Sequence, residues 1–245
     1  MSLINLRNLT VSYRGYLAVH QVSGAFEAGS LTAIVGPNGA GKSSLLGAIA
    51  GQLVPAEGEV ALASGLRQRM AWLPQQTLVD RSVPLEVADL VALGTWAKTG
   101  STRAVTSALQ SRVDAALDAV GLAGLQRRLI VELSAGQLQR ALFARVLVQD
   151  AQVILLDEPF NAIDARTTAD LLALVARWHA QARTVIAVLH DLDQVRANFS
   201  RTLLLARRCI AWGPTAEVLD AEHLLKARRM AECWGADAPL RKEAA

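Results

Sequence analysis

Residues 31–44 read LTAIVGPNGAGKSS, in which an apolar stretch runs directly into a glycine-rich segment. The GxxxxGK[ST] spacing, set by Gly36, Gly41, Lys42 and Ser43, is that of a phosphate-binding loop between a strand and a helix. Glycines let consecutive backbone N–H groups turn inward on a phosphate, and the helix adds the positive end of its dipole. The alternative is a glycine turn before a helix. The full motif in this context favours a nucleoside triphosphate site.

The loop is expected to hold the nucleotide with both backbone and side-chain groups. Lys42 is expected to bridge the β- and γ-phosphates, and the Ser43 hydroxyl is a candidate ligand of Mg²⁺. The nucleotide contacts are expected at Gly36, Pro37, Asn38, Gly39, Ala40, Gly41, Lys42, Ser43 and Ser44.

A second apolar stretch, VILLDEP at residues 153–159, ends in two adjacent acids. At the tip of a strand, Asp157 can hold Mg²⁺ through water, and Glu158 can polarise an attacking water. On its own, such a stretch is more often a solvent-facing strand end. Because it follows a phosphate loop, the pair predicts a catalytic carboxylate and a metal-binding one.

The segment LSAGQLQR at residues 133–140 opens a helix with apolar residues at spacings of three and four. Ser134 followed three residues later by Gln137 is a capping box, which is a purely structural explanation. Capping does not require Gly136, nor a position just before the strand that ends in two acids. The segment therefore has a second candidate role.

The order of elements predicts an α/β fold with a mainly parallel core sheet, an N-terminal β region and an inserted helical region. Short strand-like stretches separated by glycine turns fill the first third of the chain. Helical periodicity dominates the middle third, and unbroken apolar strands return at residues 153–156 and 184–189. The expected division is a nucleotide-binding core at 1–84 and 150–214, a helical lobe at 85–149 and a helical tail at 215–245.

The composition restricts the class of protein. The net charge is +3 and the basic residues are spread along the chain, which gives little support to nucleic-acid binding. No uncharged apolar stretch reaches the roughly 18 residues of a membrane helix, and no charged-then-apolar leader is visible. Cys209 and Cys233 are expected to be reduced, buried thiols, and the histidines lack metal-ligand spacing. These features predict a protein that is cytosolic unless something else holds it to a membrane, and that has no metal site formed by its His and Cys residues.

Together, the phosphate loop, residues 133–140 and the Asp157–Glu158 pair resemble the ABC ATPase family, whose signature is LSGGQ. The resemblance covers nearly the whole chain and implies ATP and Mg²⁺ as ligands. It also implies a homodimer that closes face to face, in which Ser134, Gly136 and Gln137 touch the ATP of the partner. Ala135 departs from the family glycine, and its Cβ disfavours a positive φ, so a slightly altered closed geometry is expected.

The resemblance also implies roles for four other residues. Tyr13 is similar to the aromatic residue that stacks on adenine, with core packing and Tyr16 as alternatives. Gln75 matches the glutamine that reaches Mg²⁺ and reports the nucleotide state to the membrane partner, and Gln76 is its rival. His190 matches the switch histidine that contacts the γ-phosphate. Asp164 either crosses the dimer interface or only caps the following helix.

Three classes compete for the function: a transporter subunit, a soluble ABC ATPase acting on nucleic acid, and an unrelated phosphate-loop kinase or GTPase. Residues 133–140 and His190 disfavour the third class. Repair ATPases carry long insertions, and translation ATPases usually carry two cassettes per chain. This sequence shows neither feature, which disfavours a soluble ABC ATPase acting on nucleic acid. The sequence therefore predicts a transporter subunit without a nucleic-acid partner.

Residues 79–94 and Phe160, within DEPFNAID, resemble the zinc/manganese-type importers, with siderophore and cobalamin importers as the alternative. The alternative for Phe160 is a purely structural role, as an apolar residue that packs under the loop. Zinc is the first expected cargo and manganese the second. The implied partners are a membrane permease and, indirectly, an extracytoplasmic metal-binding protein, and the implied location is the cytoplasmic face of the inner or plasma membrane.

Overall fold

The bounds of the elements come from a computed structural model that describes residues 2–13, 16–75, 80–96, 106–161 and 163–236, without the side chains of Tyr13 and of residues 233–236. The strands are β1 (Ser2–Tyr13), β2 (Tyr16–Glu27), β3 (Leu31–Val35), β4 (Glu57–Leu62), β5 (Met70–Leu73), β6 (Val153–Asp157), β7 (Thr184–Val188), β8 (Arg201–Ala206) and β9 (Arg208–Pro214). The helices are α1 (Lys42–Ala50), α2 (Val87–Ala92), α3 (Ser107–Ala119), α4 (Ala135–Gln149), α5 (Ala165–Ala180), α6 (Leu192–Asn198), α7 (Thr215–Val218) and α8 (Ala221–Ala236). Short 3₁₀ turns occupy Arg67–Arg69, Leu93–Thr95 and Ile130–Glu132.

The chain divides into two compact units. Unit 1 comprises Met1–Ile4, Phe26–Leu31 and Leu62–Leu189, and unit 2 comprises Asn5–Ala25, Thr32–Ala61 and His190–Ala245. The division of the chain at residues 84, 149 and 214 stays a prediction.

Unit 1 contains parallel strands and the helical region. Strand β6 pairs in parallel with β5 on one side and with β7 on the other. Every residue of β6 and β7 is buried, as the unbroken apolar runs predict for parallel strands covered on both faces. Helices α2, α3 and α4 pack on one another, and α4 also contacts β5. The predicted parallel strands and inserted helical region are confirmed.

Unit 2 contains strand β3, which runs parallel to β8, while β8 and β9 form an antiparallel hairpin. The N-terminal strands form an antiparallel sheet in the order β2-β1-β4, as the sequence predicts. Helix α8 packs against β8 and β9. The fold class expected from the sequence, α/β with a mainly parallel core and an N-terminal antiparallel sheet, is confirmed.

Part of the fold differs from the sequence-based expectation. The hairpin β8–β9 and helix α6 have no counterpart in that expectation. The helical tail is broken into α7 and α8 rather than continuous.

Cys209 lies half-buried in β9 and forms no disulfide, and burial raises the pKa of its thiol. The expectation of reduced, buried thiols stays a prediction, because Cys209 is only half-buried and the Cys233 side chain lies outside the described part. None of the helices in the described ranges is both long and apolar enough to cross a bilayer.

Candidate functional site

The phosphate loop of unit 2 connects β3 to α1 and is held against neighbouring backbone. Gly36 and Gly41 have φ angles of +152° and +90°, which residues with a Cβ rarely adopt. A Cβ on Gly36 would lie 1.9 Å from the carbonyl oxygen of Leu205, and one on Gly41 would lie 2.1 Å from that of Ala18. The two fixed glycines of the motif therefore allow the close approach of β8 and β2 to the loop.

Lys42, the first residue of α1, lies over the loop. Its Nζ donates hydrogen bonds to the carbonyl oxygens of Gly36 at 2.9 Å and Pro37 at 3.1 Å. The side chain is buried, although its charge is held by loop carbonyls rather than by the core. Ser43 is exposed and Ser44 is half-buried at the start of the same helix, where backbone N–H groups point outward. The start of α1 thus presents an ammonium group, a hydroxyl and N–H donors together.

A hairpin turn missed by the sequence analysis supports the same loop. Arg207, between β8 and β9, has a φ of +57°. Its N–H donates to the carbonyl of Ala40 at 2.9 Å, and its own carbonyl accepts from the His20 N–H at 2.7 Å. No motif signals this contact, because only the main chain of Arg207 makes it.

His190 lies in unit 2 beside the phosphate loop. It is exposed and shares a cavity of about 240 Å³ with Gly36 and Pro37. The other walls are Leu192, Leu204, Leu224, Ala227 and Arg228. The structure thus brings this predicted residue next to the loop that was assigned to the phosphates.

The Asp157–Glu158 pair lies in unit 1, at the carboxyl end of β6. Asp157 is the last residue of the strand and is buried. Glu158 has a φ of +50°, an uncommon conformation for a residue with a Cβ, and its N–H donates to the carbonyl of Val188 at 3.2 Å. Positive φ in a residue other than glycine concentrates at functional sites.

Two amide groups hold the carboxylate of Glu158. The Nε2 atom of Gln75 donates to its Oε2 at 2.8 Å, and the Nδ2 atom of Asn161 donates to the same oxygen at 2.5 Å. Gln75 was predicted from the sequence, whereas Asn161 was not. The segment DEPFNAID, which contains Asn161, was the sequence feature that could have indicated it. The rival Gln76 lies outside the described residues.

Residues 133–140, the signature segment, include the N-cap and the first turns of α4. The Ser134 Oγ accepts from the Gln137 N–H at 3.2 Å, and the Gln137 Oε1 accepts from the Ser134 N–H at 3.1 Å, so the capping box is present. Ala135 is the first helical residue and its φ is not positive. The expected conflict between its Cβ and a positive φ is therefore absent in this conformation. Gly136 and Asp164 line the same open cavity of about 510 Å³.

Asp164 caps α5, as one of its two predicted alternatives states. Its Oδ1 accepts from the Thr167 N–H and its Oδ2 from the Thr167 hydroxyl, both at 2.8 Å. These two hydrogen bonds, the backbone one first, lower the pKa of the Asp164 carboxyl. Arg140 joins α4 to α5 by donating to Thr167 at 3.1 Å and to Asp170 at 2.8 Å.

The predicted adenine-stacking residue is not placed by the structure. The Tyr13 side chain lies outside the described part, and its rival Tyr16 begins β2 with an exposed ring.

Comparison with known proteins agrees with these motifs. The family model described as ABC transporter matches residues 19–161. The manganese transport system ATP-binding protein of Listeria monocytogenes is 36% identical over 225 residues, covering 90% of this chain and 94% of that protein. The zinc transport system ATP-binding protein of Treponema pallidum is 37% identical over 228 residues, covering 91% and 86%.

Among solved structures, a dimeric bacterial ABC transporter cassette superimposes with a TM-score of 0.76 at 26% identity, covering 87% of this chain and 99% of that one. The region matched by the family model contains the phosphate loop, the signature segment and the Asp157–Glu158 pair, on which the resemblance rests. The chain therefore belongs to the ABC transporter family, as an ATP-hydrolysing subunit.

Proposed function

We propose that this subunit powers the import of a divalent metal ion, and that Glu158 is the carboxylate that activates water against the γ-phosphate of ATP. The observation that carries the catalytic assignment is the pair of amide hydrogen bonds from Gln75 and Asn161 to one oxygen of Glu158. Two donors on one oxygen fix the orientation of a carboxylate. A fixed carboxylate can orient a water and polarise it in the transition state.

The phosphates of ATP are assigned to the loop at residues 36–44. Its glycines turn backbone N–H groups toward an anion, and Lys42 supplies the positive charge that the β- and γ-phosphates need. His190, which lies beside Gly36 and Pro37, is assigned to the γ-phosphate. Tyr13 is assigned to the adenine on the resemblance to the family.

Mg²⁺ is assigned to Ser43, Gln75 and Asp157. These residues offer a hydroxyl, an amide carbonyl and a carboxylate, which are the hard oxygen ligands that Mg²⁺ prefers. The hydrogen bond from Nε2 of Gln75 to Glu158 orients the amide and leaves its Oε1 as an acceptor. Mg²⁺ held by these residues would supply positive charge that offsets the charge of the phosphates.

The working form is proposed to be a homodimer. Ser134, Gly136 and Gln137 line an open cavity at the N-terminus of α4, where N–H groups and the helix dipole favour an anion. We assign this surface to the γ-phosphate bound by the partner subunit. The similar cassette that was solved as a dimer supports this assignment.

The membrane partner is proposed to be a permease that holds the subunit at the cytoplasmic face of the inner or plasma membrane. The helical region of unit 1 exposes the apolar side chains of Val83, Leu93, Trp96 and Val131. These residues are proposed as the surface that contacts the permease, since contiguous exposed apolar surface marks interaction sites.

The cargo is proposed to be zinc, with manganese as the alternative. Relatives that match most of this chain are named for manganese transport in Listeria monocytogenes and for zinc transport in Treponema pallidum. Residues 79–94 and Phe160 support importers of the zinc/manganese type, and zinc rests on the overall resemblance rather than on any single residue. An extracytoplasmic metal-binding protein is the expected indirect partner.

Growth under metal limitation tests the transport assignment. A deletion strain is expected to grow poorly with a zinc chelator and to recover with added zinc or with the intact gene, but not with the Lys42→Ala gene. The Lys42→Ala protein lacks the ammonium group for the phosphates and should not hydrolyse ATP.

Rescue of the deletion strain by manganese, or by a siderophore or cobalamin, would reassign the cargo accordingly. Full rescue by the Lys42→Ala gene would contradict the role of ATP in transport.

A further inference from the structure

Gln139 contacts the turn that carries the proposed catalytic carboxylate. It lies in α4, is only 1% exposed, and its Nε2 donates to the carbonyl oxygen of Pro159 at 2.7 Å. Pro159 follows Glu158 and has no N–H group, so its carbonyl is its one main-chain hydrogen-bonding group. Helix α4 thus contacts the turn through the carbonyl group of Pro159, the one main-chain hydrogen-bonding group of that residue.

The glutamine at this position satisfies one buried oxygen and leaves another without a partner. The Oε1 atom of Gln139 is buried and has no hydrogen-bond partner among the described residues. A buried polar atom without a partner destabilises the folded state, which offsets what the amide gains by pairing with the Pro159 carbonyl. Folding stability alone therefore does not account for this glutamine.

A second contact joins the same helix to the next residue of the turn. The Phe160 ring stacks on Phe143 with centroids 6.3 Å apart, and Phe143 stacks in turn on Trp178 at 5.8 Å. Phe143 follows Gln139 by four residues and so lies on the same face of α4. Two successive residues after Glu158 are therefore held by two successive turns of one helix.

We propose that Gln139, together with the Phe143–Phe160 stack, is a positioning residue for hydrolysis. The contact keeps Glu158 in its positive-φ conformation, where the amides of Gln75 and Asn161 reach its carboxylate. This inference rests on the proposed role of Glu158.

The contact also has a consequence for the dimer. Helix α4 begins with the residues assigned to the nucleotide of the partner. Gln139 and Phe143 belong to the same helix, so the contact links the residues assigned to the partner's nucleotide with the turn that carries Glu158.

The test is Gln139→Met in the full-length chain. Methionine is unbranched and of similar size, so it fills the space while removing the amide donor. It exchanges one unpaired buried oxygen, Oε1 of Gln139, for another, the carbonyl of Pro159, so the melting temperature should change little. The kcat for ATP hydrolysis should fall roughly 10- to 100-fold through misplacement of the carboxylate, with the KM for ATP unchanged.

Gln152→Met is the matched control. Gln152 also has a buried Oε1 that finds no partner in the described part of the chain, but it precedes β6 at the end of the strand opposite to Glu158. Its kcat should equal that of the unmodified protein. A purely structural role for Gln139 would lower kcat only together with the melting temperature, and that result would overturn the proposal.

Phe160→Leu tests the same turn through the half-buried Phe160, and it decides the question if Gln139→Met does not fold. A lower kcat with unchanged KM supports the proposal, and an unchanged kcat in a folded variant overturns it. Glu158→Gln distinguishes failure of the catalytic role from failure of the positioning role. If Glu158→Gln hydrolyses ATP normally, the proposed catalytic role of Glu158 fails. If Glu158→Gln is impaired while Gln139→Met and Phe160→Leu hydrolyse ATP normally, only the positioning role fails.

Discussion

Asp164 illustrates how one side chain at the candidate site is explained by local hydrogen bonding. Both of its oxygens accept from Thr167, one from the N–H and one from the hydroxyl, which is the geometry of an N-cap. The alternative role at a dimer interface is compatible with this geometry, because Asp164 lines the open cavity at the signature segment. The N-cap role of Asp164 by itself predicts how the stability of the folded protein changes with pH.

Asp164→Ala should destabilise the protein at neutral pH, and the effect should fade in acid. The pKa of the carboxyl is lowered in the folded state, so its contribution is complete above the ordinary value of 3.8 and is lost as the pH falls below it. Thermal unfolding of the variant and the unmodified protein between pH 7 and pH 2 measures the difference. Asp164→Asn is the control, since asparagine also caps helices but does not titrate. A difference for Asp164→Ala that is constant over this range would contradict the account.

Residues whose role depends on hydrogen bonds formed in the folded chain could not be predicted from the sequence. Lys42, Asp157 and Glu158 could be predicted because the chemistry of phosphate binding fixes their types and spacing. Asn161 and Gln139 lie in the segments DEPFNAID and LSAGQLQR, but no rule of spacing assigns them a contact with Glu158 or Pro159. Their importance depends on which atoms the fold brings within hydrogen-bonding distance, which a single sequence does not specify.

At the scale of elements, the phosphate loop depends on two strands that approach its glycines. Strand β8 brings the Leu205 carbonyl to Gly36, and β2 brings the Ala18 carbonyl to Gly41. The Arg207 turn adds a hydrogen bond to Ala40. The loop is therefore a preformed site whose shape depends on backbone packing.

Gly36→Ala and Gly41→Ala should abolish ATP binding, because their Cβ atoms would collide with carbonyl oxygens at 1.9 and 2.1 Å. Gly39→Ala is the comparison, since a Cβ there meets no atom within 4 Å. Its φ of +76° still costs about 1–2 kcal/mol for a residue with a Cβ. Titration with ATP should give weakened binding for Gly39→Ala and none for the other two. Equal loss in all three would show that strain, and not the collision, governs the loop.

The elements that could be predicted are those with a strong local pattern. Strands β3, β6 and β7 are unbroken apolar runs, and the signature segment begins α4 with a capping box. Strand β8 pairs in parallel with β3, about 170 residues earlier in the chain, and with the adjacent strand β9 in an antiparallel hairpin. Because β3 is distant in sequence, no local signal indicated the parallel pairing.

At the scale of the whole molecule, the account requires two copies of the chain. The phosphate loop and the signature segment are assigned to opposite sides of each nucleotide, one from each subunit. A two-fold interface of this kind offers the same surface from both partners. ATP that binds the dimer better than the monomer then favours the dimer by mass action.

Glu158→Gln tests this claim most directly. The substitution keeps the shape of the side chain but removes its basicity, so hydrolysis should fall roughly 10²–10⁴-fold, or about 3–6 kcal/mol of transition-state stabilisation. ATP binding should persist, because loss of a carboxylate near the triphosphate relieves repulsion. Bound ATP then remains intact between the phosphate loop of one chain and Ser134 of the other.

The decisive measurement is the molar mass of Glu158→Gln in solution by light scattering. With ATP, the account predicts twice the 26.2 kDa of the single chain, and with ADP it predicts the monomer. Adding Ser134→Arg should return the ATP sample to the monomer by blocking the far side of the site. A Glu158→Gln protein that stays monomeric at saturating ATP, or a double variant that dimerises as well as the single one, would contradict the account.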